Sequence, residues 1–429
     1  MRVLTNTMAA SALVGVVVGG AAWAQQTPPA FTNPTRIRNP YLPVSLIRQS
    51  ITLGQTEGED YRTEVTLLPG TRAITWSGGT TPARISQYVA YQDGELVEVA
   101  YDYFAQGDDG SVWYFGEDVF NYQDGEIVDM EGTWLAGRDG APPGLIMPGS
   151  PVVGQVFFPE NFAPEVFEEA TVVSLSEPTT TPFGPRGEGL LILETLLDGS
   201  QEHKVYVPGI GETEVRAPDE QLNLALLIRT DTPQYLIPRN LDLIESLAEE
   251  VVIDVPDWSD VDRKAGRIAA AWVVYRPRAI RAGAPEAFVA AMDRSVEGLV
   301  RHAANRRPRA TREAAADTLK AALDIIALYN PPVPVDLDRI AAVQIDLMLD
   351  VGFHDWVSAK GEHSTATDAL WGRLRPWVAR RDEGTPLAVR LDNALAAQSA
   401  AIEAQNQLAV AAAFREILEV LDLIEDDVY

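Results

Sequence analysis

Two carboxylates set among aromatic residues raise the first chemical question. The stretch from Tyr101 to Trp134 reads YDYFAQGDDGSVWYFGEDVFNYQDGEIVDMEGTW, and Asp102 and Glu117 flank the turn Gly107-Asp108-Asp109-Gly110 within it. If the flanking strands pair symmetrically about that turn, Phe104 faces Trp113 and Asp102 faces Phe115. The two-residue period of a strand then puts Asp102, Phe104, Trp113, Phe115 and Glu117 on one face. Carboxylates in an apolar setting either hold a proton or share a cation. His203, in Glu202-His203-Lys204, is the one histidine between residues 25 and 230 and could join them as a metal ligand or general base. The candidate ligand-binding set is therefore Asp102, Phe104, Trp113, Phe115, Glu117 and His203. Within it, Asp102, Glu117 and His203 are the candidate ligands of a divalent cation. The competing expectation is a solvated strand face beside a structural histidine.

Other chemistries find less support. The chain has no cysteine, which excludes disulfides, thiolate metal sites and cysteine nucleophiles. It contains no Gly-x-Ser-x-Gly, P-loop or dinucleotide glycine fingerprint. Asp108-Asp109-Gly110-Ser111 lacks the alternating oxygens and the twelfth-position Glu of a calcium loop and reads as a turn. His354, Glu362 and His363 lie near a helix start, but the gap between the two histidines is not the i, i+4 spacing of a helical zinc pair. Paired carboxylates suit glycoside hydrolysis, although spacing along the chain fixes no distance between them.

The formal net charge is −28. Roughly −19 falls in residues 25–230 and roughly −10 in residues 231–429. That balance disfavours nucleic acid and anionic membrane surfaces and is compatible with cations.

The elements that must position these residues fall into two parts. Residues 1–24, MRVLTNTMAASALVGVVVGGAAWA, read as a secretory signal cleaved before Gln25, which predicts a periplasmic or secreted protein. No later apolar run is long enough to span a bilayer. Residues 25–38 form a Pro/Thr-rich leader expected to be disordered. Residues 39–232 alternate in short segments punctuated by Gly, Pro and Asp-Gly, the pattern of an all-β up-down meander curling into a half-barrel or barrel. Tyr91-Gln-Asp-Gly-Glu recurs as Tyr122-Gln-Asp-Gly-Glu, two hairpin tips. The run from Ala141 to Pro151 is too Pro-rich for a central strand and is expected as a crossing loop.

After Pro238 the period becomes helical. Helices are predicted over about 240–251, 259–280, 285–305, 310–329, 336–351, 355–380, 386–405 and 407–426. Residues 236–330 and 334–429 are a duplicated four-helix unit: Asp257-Trp258, Trp272, Arg276-Pro277 and Asp293 recur as Asp355-Trp356, Trp371, Arg375-Pro376 and Asp392. Matched Trp258, Trp272, Trp356 and Trp371 are expected as packing residues.

The β part resembles a family of exported bacterial β-domain proteins with no defined activity. The resemblance rests on Asp102-Tyr103-Phe104-Ala105-Gln106, Val112-Trp113-Tyr114-Phe115-Gly116-Glu117, Glu131-Gly132-Thr133-Trp134, Pro143-Gly144-Leu145-Ile146-Met147-Pro148 and Glu202-His203-Lys204-Val205-Tyr206-Val207-Pro208-Gly209-Ile210-Gly211. Tyr103 stands where that family has Trp, and Gly107 where it has Asp. The resemblance implies an extracytoplasmic curved sheet.

The expectation is an exported, non-catalytic binding or interaction protein. Its β concavity would take a small molecule or cation, and its helical repeats would offer a surface to an envelope partner. A hydrolase using Asp102, Glu117 and His203, and a purely structural envelope module, are the alternatives.

Overall fold

A computed structural model describes residues 26–381 and 384–426. The expected signal segment, residues 1–24, lies outside the described residues. The N-terminal part is one antiparallel sheet of fourteen strands. They are β1 (Ile47–Thr56), β2 (Glu59–Trp76), β3 (Gly79–Gln92), β4 (Glu95–Gln106), β5 (Val112–Gln123), β6 (Glu126–Asp129), β7 (Trp134–Leu135), β8 (Gly144–Met147), β9 (Val156–Phe162), β10 (Val166–Thr181), β11 (Gly184–Leu196), β12 (Gln201–Val207), β13 (Gly211–Ala217) and β14 (Glu220–Arg229). Twelve of them run in the order β6-β5-β4-β3-β2-β1-β14-β13-β12-β11-β10-β9, a meander in which β14 returns to pair with β1, and the short β7 and β8 both add to β5.

The sheet curves without closing its ladder. Short β8 pairs with β5 and stands against β9, where a Cβ on Gly144 would lie 1.7 Å from the Pro159 carbonyl oxygen. The Asp-Gly tips have positive φ at both central residues, Asp93 (49°) and Gly94 (89°), then Asp124 (51°) and Gly125 (73°), as tight hairpins of this hand require.

Three expectations change. The Ala141–Pro151 run is not all loop: Gly144 to Met147 join the β5 edge, and Pro142, Pro143 and Pro148 keep the added ladder short. The short alternating segments merge in places into long strands: β2 alone runs from Glu59 to Trp76. The leader is ordered against the sheet: Phe31 meets Trp76 and Phe115 edge-on, and the Thr32 backbone N–H and hydroxyl both donate to Asp108.

The helices are α1 (Arg239–Asp254), α2 (Trp258–Arg281), α3 (Glu286–Ala304), α4 (Pro308–Ala327), α5 (Asp336–Phe353), α6 (Trp356–Ser364), α7 (Gly372–Val378), α8 (Gly384–Glu403) and α9 (Gln407–Asp426), with a π turn, Thr365–Trp371, joining α6 to α7. The same clamp occurs twice. Trp272 Nε1 donates to Asp293 (2.7 Å) while Arg276 forks onto it, and Trp371 Nε1 donates to Asp392 (2.8 Å) while Arg375 forks onto it. Asp257 and Asp355 each cap the following helix through the side chain.

The outward face of β2 is buried under the helices, and ions make the junction. Glu64 and Arg373, 4% and 1% exposed, pair at 2.7 Å. Arg373 forks onto Asp336 at 2.8 and 2.9 Å, and Arg62 forks onto Asp324 at 2.8 and 2.9 Å. Arg339 bridges Asp324 and Asp336, and Arg62 closes back on Glu64. Three guanidiniums and three carboxylates thus neutralise one another away from water. Burial alone would push the Glu64 carboxyl up, but Arg373, Arg62 and Arg339 hold it well below the usual range.

Removing one member of such a set strands its partners. Arg373→Met is expected to lower the free energy of unfolding by about 3–5 kcal/mol, read from urea denaturation. Arg301→Ala, which removes an exposed pair to Glu297, should stay within about 0.5 kcal/mol of the parent.

Candidate functional site

A single extra residue decides which side chains meet. Asp102 pairs directly with Glu117, but the next register pair is Phe104 with Tyr114, so β5 carries one residue more than β4 between these points. That is a β-bulge. Gly116 lies within it at φ 111°, and a Cβ there would sit 2.3 Å from the Trp134 carbonyl oxygen. The bulge reverses the facing of residues on either side of it. Asp102, Phe104, Tyr114 and Glu117 turn into the concavity. Phe115 turns out against Phe31 and Trp76, and strand alternation puts Trp113 on that outer face with it. The expected five-residue face is therefore corrected: Asp102, Phe104 and Glu117 are together, while Trp113 and Phe115 are packing residues behind them. Trp113 Nε1 is occupied by Ser111 Oγ at 2.8 Å.

The concavity is a cavity of about 620 Å³. Eight carboxyl groups line it against one lysine, so its walls are strongly acidic wherever they ionise. Tyr114 donates to Asp102 at 2.8 Å, and Trp134 Nε1 donates to Glu160 at 3.1 Å. Glu117 and Glu160 share a carboxyl–carboxyl hydrogen bond. Burial pushes Asp102 up to about 7, against the pull of the Tyr114 hydroxyl. Burial, then the nearby Asp102 and Glu160 charges, drive Glu117 well above the ordinary range, so Glu117 carries the shared proton. Burial also takes Glu212 to about 7 and Glu168 well up.

Lys204 is the cation of the opposite wall. Its ammonium lies 2.6 Å from Glu194 and 2.9 Å from Glu202. Burial would lower it, but Glu194, Glu202 and Glu168 raise it well above its usual value. Among the described residues, Glu168, Glu194 and Glu202 form the one group whose oxygens could surround a metal ion, all within 4.8 Å of one another. Lys204 already supplies the positive charge that two of these three carboxylates need.

His203 does not join the site. It sits between Glu202 and Lys204 on β12, and both neighbours line the cavity while His203 does not. Alternation along the strand sends it to the other face. The expected trio of Asp102, Glu117 and His203 is thus reduced to the two carboxylates. Sequence reasoning missed Glu160, Glu168, Glu212, Lys204 and Tyr114. The one available signal was the in-facing parity of Glu202 and Lys204, which the search for a histidine ligand obscured.

No family model matches the chain, and no curated protein or solved structure does either. What the cavity takes is therefore to be read from its own side chains.

Two outcomes follow from the geometry. Gly116→Ala forces a Cβ into left-handed backbone and onto the Trp134 carbonyl, and should cost roughly 1–3 kcal/mol of stability in thermal or urea unfolding. The raised carboxyls give stability a sign. Asp102 and Glu212 bind protons in the folded chain up to about 7 but release them near 4 when unfolded. Their contribution is full below the unfolded value and is lost as pH rises through about 7. Melting temperature should therefore fall between about pH 4 and about pH 7.5, and Asp102→Asn should flatten that slope.

Proposed function

We propose that this is an exported binding protein whose curved sheet takes a small cation, either an organic ammonium or a hydrated divalent metal ion. The observation that carries the reading is the cavity of about 620 Å³ with eight inward carboxyls and one lysine. A void lined by its own apolar side chains would suit a structural module; this one is lined by groups that desolvation keeps protonated. A cation entering it replaces those protons, so the negative charge of the wall is released only when a partner arrives. Tyr114 and the Glu117–Glu160 pair orient Asp102 and its neighbours toward the space.

One observation favours a second reading. A protonated Glu117 beside Asp102 is an acid next to a potential base, the pairing that carboxylate hydrolases use. Turnover of glycoside or ester substrates that disappears in Glu117→Gln would support it.

Calorimetric titration of the mature protein with calcium chloride, zinc chloride and 1,4-diaminobutane tests the binding reading. At least one should give a saturable heat that weakens as pH falls from about 8 to about 5.5, because each bound cation must displace protons. The double variant Asp102→Asn, Glu117→Gln should abolish it. No heat from any of the three, or binding untouched by the double variant, overturns the reading.

A further inference from the structure

The second helical repeat contains a polar device that the first lacks. From Asp257 to Trp272 the first repeat runs as unbroken α2, whereas from Asp355 to Trp371 the second has one residue more. That extra residue is accommodated as the π turn over Thr365–Trp371. A π turn closes hydrogen bonds from i to i+5 and so brings residues five apart to one side, where an α-helix would splay them over about 1.4 turns. Here it brings His363 and Asp368 into one pocket of about 470 Å³, between the β5–β6 hairpin and α8. The sheet fixes the turn from behind, as Gln87 Nε2 donates to the carbonyls of Asp368 and Ala369 at 3.1 and 3.2 Å.

The histidine is held by a buried relay. Gln344 and Gln398, both 0% exposed, exchange amide hydrogen bonds, and Gln398 presents Oε1 to His363 Nδ1 at 2.9 Å. Nδ1 therefore carries the ring proton, and Nε2 accepts from the Thr367 hydroxyl in a long contact of 3.4 Å, which a stronger donor entering the pocket would displace. The matching positions of the first repeat are Ala265, Ala248 and Leu299, all buried. Packing of the shared frame thus needs none of these three polar groups, and burying them forfeits apolar contact.

The charges select the ligand. Lys360 is taken by Glu126 and Glu403, and Asp392 by Arg375 and Trp371. Asp368 accepts from Tyr122 at 3.0 Å and has no ion-pair partner among the described residues. The pocket thus holds more carboxylate than cation, with one lysine between two glutamates and an Asp368 that burial raises and that no cation pairs among the described residues, beside a neutral imidazole acceptor and the apolar wall of Leu395 and Ile402. We infer that it binds a primary ammonium group on a short apolar chain, with Asp368 as counter-ion and His363 Nε2 as hydrogen-bond acceptor. This site is independent of the sheet cavity and does not require it to be filled.

Long-range proton–nitrogen NMR of the four imidazoles tests this, with the His363 signal assigned by its loss in His363→Gln. The free protein should show His363 protonated at Nδ1. n-Butylammonium chloride should shift that signal saturably, and butan-1-ol should not. Asp368→Asn should weaken the response by about tenfold or more, the loss of one charge-assisted contact, while the Nδ1–H pattern persists. Ala396→Phe, placed on an exposed wall position of the pocket, should block the response without lowering the melting temperature. The double variant Asp102→Asn, Glu117→Gln should leave it unchanged. A proton on Nε2 in the free protein, an equal shift with butan-1-ol, or a response that is undiminished in Asp368→Asn or vanishes with the sheet double variant overturns the inference.

Discussion

The six-membered ion cluster between β2 and the helices is the constraint on which both halves depend. Two neighbouring outward positions of β2, Arg62 and Glu64, reach across to Asp324 at the end of the first repeat and to Arg373 in the second. The cluster has equal numbers of each charge, and every member has at least one opposite partner within 3.2 Å. Apolar residues of similar volume would hold two surfaces together as strongly. Ions and forked guanidiniums do something different: they accept only one register, because a shift of one residue would bury unpaired charge. The cavity inside the sheet is thereby set in a fixed position relative to the helices, with β2 lining it on one face and carrying the ion cluster on the other.

The chain's acidity is therefore divided between two opposite treatments. Glu64, Asp324 and Asp336 are buried and held ionised by arginines. Asp102, Glu117, Glu168 and Glu212 are buried with too few cations and hold protons instead. The first set stabilises the fold most above the ordinary carboxylate range. The second contributes fully only below its unfolded value near about 4, and that contribution is gone by about 7. Their overlap is an acidic window around the ordinary carboxylate value, and the loss on its alkaline side comes from the groups proposed to bind.

Much of the frame was legible in the sequence because periodicity and turn chemistry are local. The Asp-Gly tips, the helix spans and the repeated Trp–Arg–Asp positions need only neighbours a few residues away. The site was legible in part. Asp102 and Glu117 are opposed, but the symmetric pairing that put Trp113 and Phe115 beside them failed at Gly116, because a strand period does not reveal a bulge. The glycine between Phe115 and Glu117 was the available sign. Glu160, Glu168 and Lys204 come from strands far along the chain and meet Asp102 only through the curl of the sheet, which no local pattern encodes. The leader was misread for a similar reason: Pro and Thr suggest disorder, but Phe31 has the outer aromatic face of β5 to cover.

Divergence between the two helical repeats separates frame from function more sharply than either repeat alone. The Trp–Asp–Arg clamps and the capping aspartates are the same in both, so they serve packing. The ion-cluster residues Asp336, Arg339 and Arg373 occupy places that the first repeat fills with Asn240, Leu243 and Val274, and Val274 is 70% exposed there. In the first unit Asn240 and Leu243 are partly buried among the helices and Val274 faces solvent, while in the second these three places carry the charges that meet the sheet. The same copy holds the one-residue insertion and the buried Gln344–Gln398–His363 relay. The docking charges fix where the second repeat sits, and the π turn, braced by Gln87 and faced by Tyr122, can form its pocket only against a sheet held in that register. The ion cluster and the pocket are therefore coupled through position: a loosened junction would withdraw Tyr122 and Gln87 from the turn before it disturbed the helices' own packing.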